Sequence, residues 1–297
     1  MRDLIRKLTP ELLLDIYRGF VKSKRNKELE AIRVAGDALS PEAIENDIRN
    51  CGINPGDTVL VHSSLSKIGF VEGGAKTIVD ALLNVVGSNG NLLMPTSPNA
   101  GFQLNYIQKL NVFDVANDKS KLGAISEYFR RLPNCQRSAH PTEPVSCVGP
   151  DAEYYTKDHF GEQTPYTSSS PFYRVSERGG KILYIGVTLD NAGTSLHTLE
   201  DAIADFKYPV YFNESFHVDV KFSDGEVRSM KTKVHNPEQS VKRKCDGLIP
   251  LFKDKGVLKE NKIGQARTLV VDAKSMLDTM LDEYNTKGVT MYTPQGE

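Results

Sequence analysis

Cysteine is scarce: Cys51, Cys135, Cys147 and Cys245 stand far apart, and no two form a CxxC pair. That spacing speaks against a disulfide scaffold and against a structural zinc site, and free thiols in a reducing compartment are expected. Long apolar runs are missing too. None approaches the roughly 18 residues a membrane span needs. The opening MRDLIRKLTPELLLDIYRGF is charged throughout and lacks the apolar core of a signal peptide. An excess of one charge is also lacking, since 37 Lys and Arg face 38 Asp and Glu, a formal net charge of −1. This near balance argues against a nucleic-acid binder. The expectation is a cytoplasmic protein without metal, membrane span or nucleic-acid partner. Dividing 297 residues by about 150 gives roughly two domains, or one large α/β unit with insertions.

The chain divides by pattern into three units. Residues 1–39 are basic, with Leu12, Ile16, Tyr17 and Phe20 at helical spacing. Such an extension packs on its own body, on a second copy as a homo-oligomer, or on anionic lipid. Residues 40–207 carry α/β signals. Ser40-Pro41-Glu42 starts a helix and Gly52 stops it. Thr58–His62, a helix over 74–86 and Gly90–Thr96 then form a strand–helix–strand crossover with parallel strands. Residues 97–118 read as a long loop, 121–132 as a short helix and 137–149 as irregular. Lys181–Val187 is a third buried strand, followed by a helix over about 195–205. Residues 208–297 alternate apolar and polar positions, a hairpin turning at Ser223-Asp224-Gly225, then close with a strand and a helix. The fold class is α/β: a central, mainly parallel sheet flanked by helices, a smaller antiparallel β subdomain and an N-terminal helical extension.

Four segments place polar groups at or near strand ends, where open α/β sheets bind ligands. His62-Ser63-Ser64-Leu65-Ser66-Lys67 offers hydroxyls and backbone N–H groups at a strand-to-helix turn, able to hold phosphate or amide groups and equally readable as a helix cap. It is not a P-loop. Arg137-Ser138-Ala139-His140-Pro141 puts an imidazole before proline, in extended or turn geometry. Thr194-Ser195-Leu196-His197-Thr198-Leu199-Glu200 sets His197 and Glu200 on one helix face, with Thr194 as a natural N-cap. It is not HExxH. Gly264-Gln265-Ala266-Arg267 offers one cation for phosphate. No GxSxG elbow occurs.

Together these segments resemble the aminoglycoside 3-N-acetyltransferase family. The likeness spans roughly residues 40–285 and rests on LVHSSLSKIGFVEGGAKTIVDALLNVVGSNGNLLMPT, RSAHPTEPVSCVGP, LYIGVTLDNAGTSLHTLEDAI and KIGQARTLVVDAKSML. The resemblance implies an acyl-CoA donor such as acetyl-CoA, and the amine of an amino sugar as acceptor. It implies His140 as general base, with Thr194, His197 and Glu200 in the active cleft. It also implies that His62, Ser63, Ser64, Leu65, Ser66 and Thr96 line the CoA, and Lys67 and Arg267 are the nearest cations for its phosphates. Residues 97–118 carry only Asp114 and Asp118 as acids, few for a polycationic antibiotic. The expected acceptor is therefore a dTDP-linked 4-amino-4,6-dideoxyhexose of surface polysaccharide biosynthesis, and the alternative is an aminoglycoside.

Overall fold

A computed structural model describes residues 38–297 and, apart from them, Ser23. The basic amphipathic segment of 1–39 thus falls almost wholly outside the described residues. Helix α1 (Pro41–Asn50) starts as its sequence directs: the Ser40 hydroxyl accepts from the Ala43 N–H at 3.2 Å, and Pro41 stands in the first turn. Its apolar face, Ile44 and Ile48, is fully buried. Strand β1 (Thr58–Ser63) follows, then helix α2 (Ala75–Val86) and strand β2 (Asn91–Pro95). Ile78, Val79, Ala81, Leu82, Val85 and Val86 of α2 are buried, a stripe at helical spacing broad enough to cover a sheet.

The large sheet has seven strands. Besides β1 and β2 it holds β4 (Gln136–Arg137), β5 (Val145–Val148), β6 (Lys181–Ile185), β9 (Leu258–Ile263) and β10 (Ala266–Asp272), in the order β4-β5-β2-β1-β6-β10-β9. Its centre is parallel: β1 pairs with β2 on one side and with β6 on the other. Antiparallel strands extend it on both flanks. Alternation along β1 splits the core. Val59 and Val61 face one cluster with α1 and α2, while Leu60 faces the other. The second cluster is closed by helix α3 (Pro171–Glu177) and the final helix α4 (Ala273–Lys287). Among the described residues no helix is long and apolar enough to cross a membrane.

The smaller sheet holds β3 (Val112–Asp114), β7 (Phe216–Lys221) and β8 (Val227–Thr232). The hairpin turns where the sequence places it. Three expectations change. The stretch 137–149 is not irregular throughout, because it contains β5, which pairs antiparallel with β2. The stretch 97–118 is not only loop, because β3 pairs in parallel with β7 and buries Phe113 against Val218, Val220 and Met230. Nor do residues 208–297 form one unit: β10 pairs with β6 and carries the closing strand and helix back to the large sheet. These pairings join segments distant in sequence, which local alternation does not specify.

The connections leave the sheet in opposite directions. From β1 the chain goes to α2 on one face, and from β6 it goes to a turn packed with the other cluster through Leu196 and Leu199. Where neighbouring parallel strands send their chains to opposite faces, a crevice opens at their carboxyl ends.

Candidate active site

The crevice is a cleft of about 680 Å³. His62 and Ser63 reach it from the end of β1, Pro95 from β2, and Val187 and Leu189 from beyond β6. Gly193, Thr194 and His197 form the opposite wall, with Gln103, Glu143, Tyr166, His235 and Arg243 from loops and short helices.

The expected helix over 195–205 is two pieces, a 3-10 turn Thr194–His197 and a short α-helix Thr198–Ala202. Thr194 does not cap it. Its hydroxyl instead lies 3.4 Å from His62 Nε2. The i, i+3 spacing of His197 and Glu200 does what the sequence suggests: His197 Nδ1 lies 2.9 Å from Glu200 Oε2. Glu200 is buried and has two further donors. His235 Nε2 lies 3.3 Å from the same oxygen, and the Tyr292 hydroxyl donates to Oε1 at 2.9 Å. Arg243 Nε donates to the Tyr292 oxygen at 3.3 Å, while its Nη2 is buried without a hydrogen-bond partner. Tyr166 packs its ring on both imidazoles, at 4.9 Å from His197 and 5.4 Å from His235.

These contacts fix the charges. Burial alone would raise the Glu200 pKa, but His197 and His235 hold it well below the ordinary carboxylate value. Burial lowers the His197 pKa, against the pull of Glu200. His197 is then neutral near pH 7, with its Nδ1–H on an ionised carboxylate. Its Nε2 is the nitrogen left to take a proton. One ring nitrogen each of His197 and His235 and a Glu200 oxygen lie within 4.8 Å of one another, a donor set of the kind that binds cations. Here they bond to each other, with Arg243 beside them. Cys245 also lines the cleft, but burial pushes its thiol up to about 12, far from a reactive thiolate.

The other singled-out residues scatter. His140 does not line the cleft. It is fully buried, with Nδ1 3.1 Å from the Thr142 hydroxyl, Nε2 3.3 Å from the Thr232 hydroxyl and its ring 4.8 Å from that of His159. Both of its nitrogens are engaged inside the protein, so its position does not suit the base that the resemblance implied. Thr96 is also fully buried, bonded to Ser146 at 3.0 Å and approached by Arg137 Nε at 3.2 Å. Ser64 and Ser66 lie on the turn after β1 with hydroxyls 3.3 Å apart; Leu65 packs on the α1–α2 cluster, and Lys67 is exposed. Arg267 makes two bonds to Glu260, at 2.8 and 2.6 Å, rather than standing free for a phosphate.

His235, Tyr292, Arg243, Glu143 and Gln103 were not legible as site residues, because they reach Glu200 and the cleft from distant parts of the chain. One local signal existed for His235. Asn236-Pro237 is a helix start, with the Asn236 side chain accepting from Glu238 N–H, and it fixes His235 at a rigid corner.

Comparison with known proteins gives the family and the fold. The sequence signature described as aminoglycoside 3-N-acetyltransferase matches residues 60–284. Aminoglycoside N(3)-acetyltransferase III of Serratia marcescens is 33% identical over 199 residues, 63% of this chain and 72% of that protein. Among solved structures, AAC-IIIb with CoASH superposes with a TM-score of 0.69 at 23% identity, over 83% of this chain and 97% of that one. A histidine-to-alanine mutant of AAC(3)-IVa in complex with a gentamicin superposes with a TM-score of 0.70 at 25% identity, over 88% and 98%. The chain belongs to the aminoglycoside 3-N-acetyltransferase family.

Proposed function

We propose that the protein transfers an acetyl group from acetyl-CoA to an amine of an aminoglycoside-type acceptor, with His197 as general base. The observation that carries this reading is the His197–Glu200 bond of 2.9 Å in a cleft at the ends of three parallel strands. An ammonium must lose its proton before it attacks a thioester. That first proton goes to solvent; as the neutral amine attacks, His197 Nε2 takes a second proton from its nitrogen, and the ionised Glu200 stabilises the imidazolium that forms. The amine nitrogen bonds to the thioester carbon, the tetrahedral intermediate collapses, and the C–S bond breaks. The leaving thiolate of CoA takes the proton back from His197. Transfer is direct, since the buried Cys245 thiol in the cleft is held protonated and no activated serine is needed. The donor lies along the turn from His62 to Lys67, a reading supported by the placement of His62 and Ser63 in the cleft wall.

The relatives' names favour an aminoglycoside over the nucleotide-linked amino sugar expected from the sequence. One feature supports the second acceptor: Arg243 and Tyr166, a cation and an aromatic face, line the same cleft. Thiol release from acetyl-CoA, measured with gentamicin, with a dTDP-linked 4-amino sugar and without amine, decides. Release that depends on gentamicin supports the first reading, and release that depends only on the nucleotide sugar replaces it. No amine-dependent release with either acceptor sinks the transferase reading.

A further inference from the structure

We infer that Glu143 is the specificity-determining carboxylate for the acceptor, pairing a second ammonium group so that the site selects polyamines over monoamines. The inference deepens the acetyl-transfer reading and rests on it. Glu143 lines the same cleft as His197. One of its oxygens is committed: Gln103 Nε2 lies 2.8 Å from Oε1. The Gln103 amide cannot be turned round, because its own oxygen accepts the His235 backbone N–H at 2.9 Å. Gln103 must therefore offer its NH₂ to Glu143. Among the described residues no cation forms an ion pair with Glu143. A half-buried carboxylate in a binding cleft, with one oxygen held by an amide and no ion-pair partner, relieves its burial by holding a proton or by pairing with a cation that a ligand brings. The same Gln103 ties Glu143 to His235, which bonds Glu200, the partner of His197. The carboxylate is thus held at a fixed place relative to the base. An acceptor whose reacting amine meets His197 presents its next ammonium to Glu143, and a monoamine leaves that carboxylate unpaired.

Protonation agrees with this role. Burial pushes the Glu143 pKa up to about 7, with Gln103 and the more distant Arg243 acting against the rise. Arg243, Tyr166, His62, His197, His235, Asp190 and Cys245 are the other charged or titratable groups that line this cleft. Arg243 is cationic and Glu200, behind the histidines, is anionic, while His197 and His235 are held neutral by burial. Glu143 changes charge near neutrality. Its attraction for an ammonium is lost as pH falls through about 7.

The test compares gentamicin with methyl 3-amino-3-deoxyglucoside, which offers a single ammonium, in the full chain and its Glu143→Gln and Glu143→Asp variants. The readout is the ratio of kcat/KM for the two acceptors. Glu143→Gln keeps an oxygen for Gln103 but removes the charge, and should lower the ratio by about tenfold, the worth of one charge-assisted hydrogen bond. Glu143→Asp should recover part of it. The wild-type ratio should rise more steeply between about pH 6 and pH 7.5 than the Gln variant's, which follows only the titration of the acceptors' own amines. The His197 limb divides out, because both acceptors use the same base. A ratio unchanged in Glu143→Gln, with both acceptors slowed alike, overturns the inference and leaves Glu143 as a support for Gln103 and His235. If neither amine promotes thiol release from acetyl-CoA, the acetyl-transfer reading itself fails.

Discussion

A histidine serves as a base only if its ring is neutral and one nitrogen faces the substrate. Burial holds both rings neutral, but His197 lines the cleft while His140 is buried away from it. The sequence marks both, one before a proline and one three residues before a glutamate, but burial separates them, and burial is not written in either local motif. His197→Asn should lower kcat by about 10²–10⁴-fold, the usual range for general acid–base catalysis, with little change in the KM for acetyl-CoA. A steady-state comparison of kcat and both KM values checks this. His140→Ala belongs to a different class. Its imidazole packs on His159 and bonds two threonine hydroxyls, so its removal leaves a cavity and unpaired donors. A loss on the order of 2–4 kcal/mol is expected, read from the denaturant midpoint. Turnover per folded molecule should fall by less than the His197 change produces.

Elements make the cleft, and most of them were legible. Ser40-Pro41, the apolar stripe of α2, the buried runs of β1, β2 and β6 and the hairpin turn each follow from a local rule. Pairing partners did not. β3 joins β7, and β10 crosses back to β6, through contacts no window of the sequence contains. The site followed the same division. His197 and Glu200 share one helical turn and could be read together, whereas His235, Arg243 and Tyr292 come from separate loops. At this scale Gly186, just past β6, is a test point. Its φ is +68°, and a Cβ there would stand 2.5 Å from Lys67 Cβ. Gly186→Ala should destabilise the protein by about 1 kcal/mol or more. It should also raise the KM for acetyl-CoA, because the shift falls on the turn proposed to hold the donor. Thermal unfolding and donor kinetics measure the two effects, and an unchanged donor KM would separate the turn from donor binding.

The whole molecule carries its buried histidines neutral, which sets its response to acid. Burial lowers the pKa of His62, His159 and His235 to about 3, that of His140 well below its usual value, and that of His197 as well. Their unfolded pKa is about 6.5. Below that pH the unfolded chain binds protons that the folded one refuses, so stability falls as pH drops from about 6.5 towards 3. Glu143 and Asp201, raised to about 7 and about 6, act in the opposite sense above their unfolded values, two groups against five. Denaturant unfolding at about pH 7 and pH 5 should show the protein weaker at the lower value, and equal midpoints would mean that charged imidazoles are accommodated in the core. The same folded molecule is the subject of the most direct test of the catalytic assignment. Amine-dependent thiol release from acetyl-CoA, with gentamicin as acceptor, is compared for His197→Asn and His140→Asn at equal folded concentration. The account predicts a loss of at least about a hundredfold for the His197 variant and a far smaller one for the His140 variant. Near-full activity in His197→Asn together with a collapse in His140→Asn would contradict it.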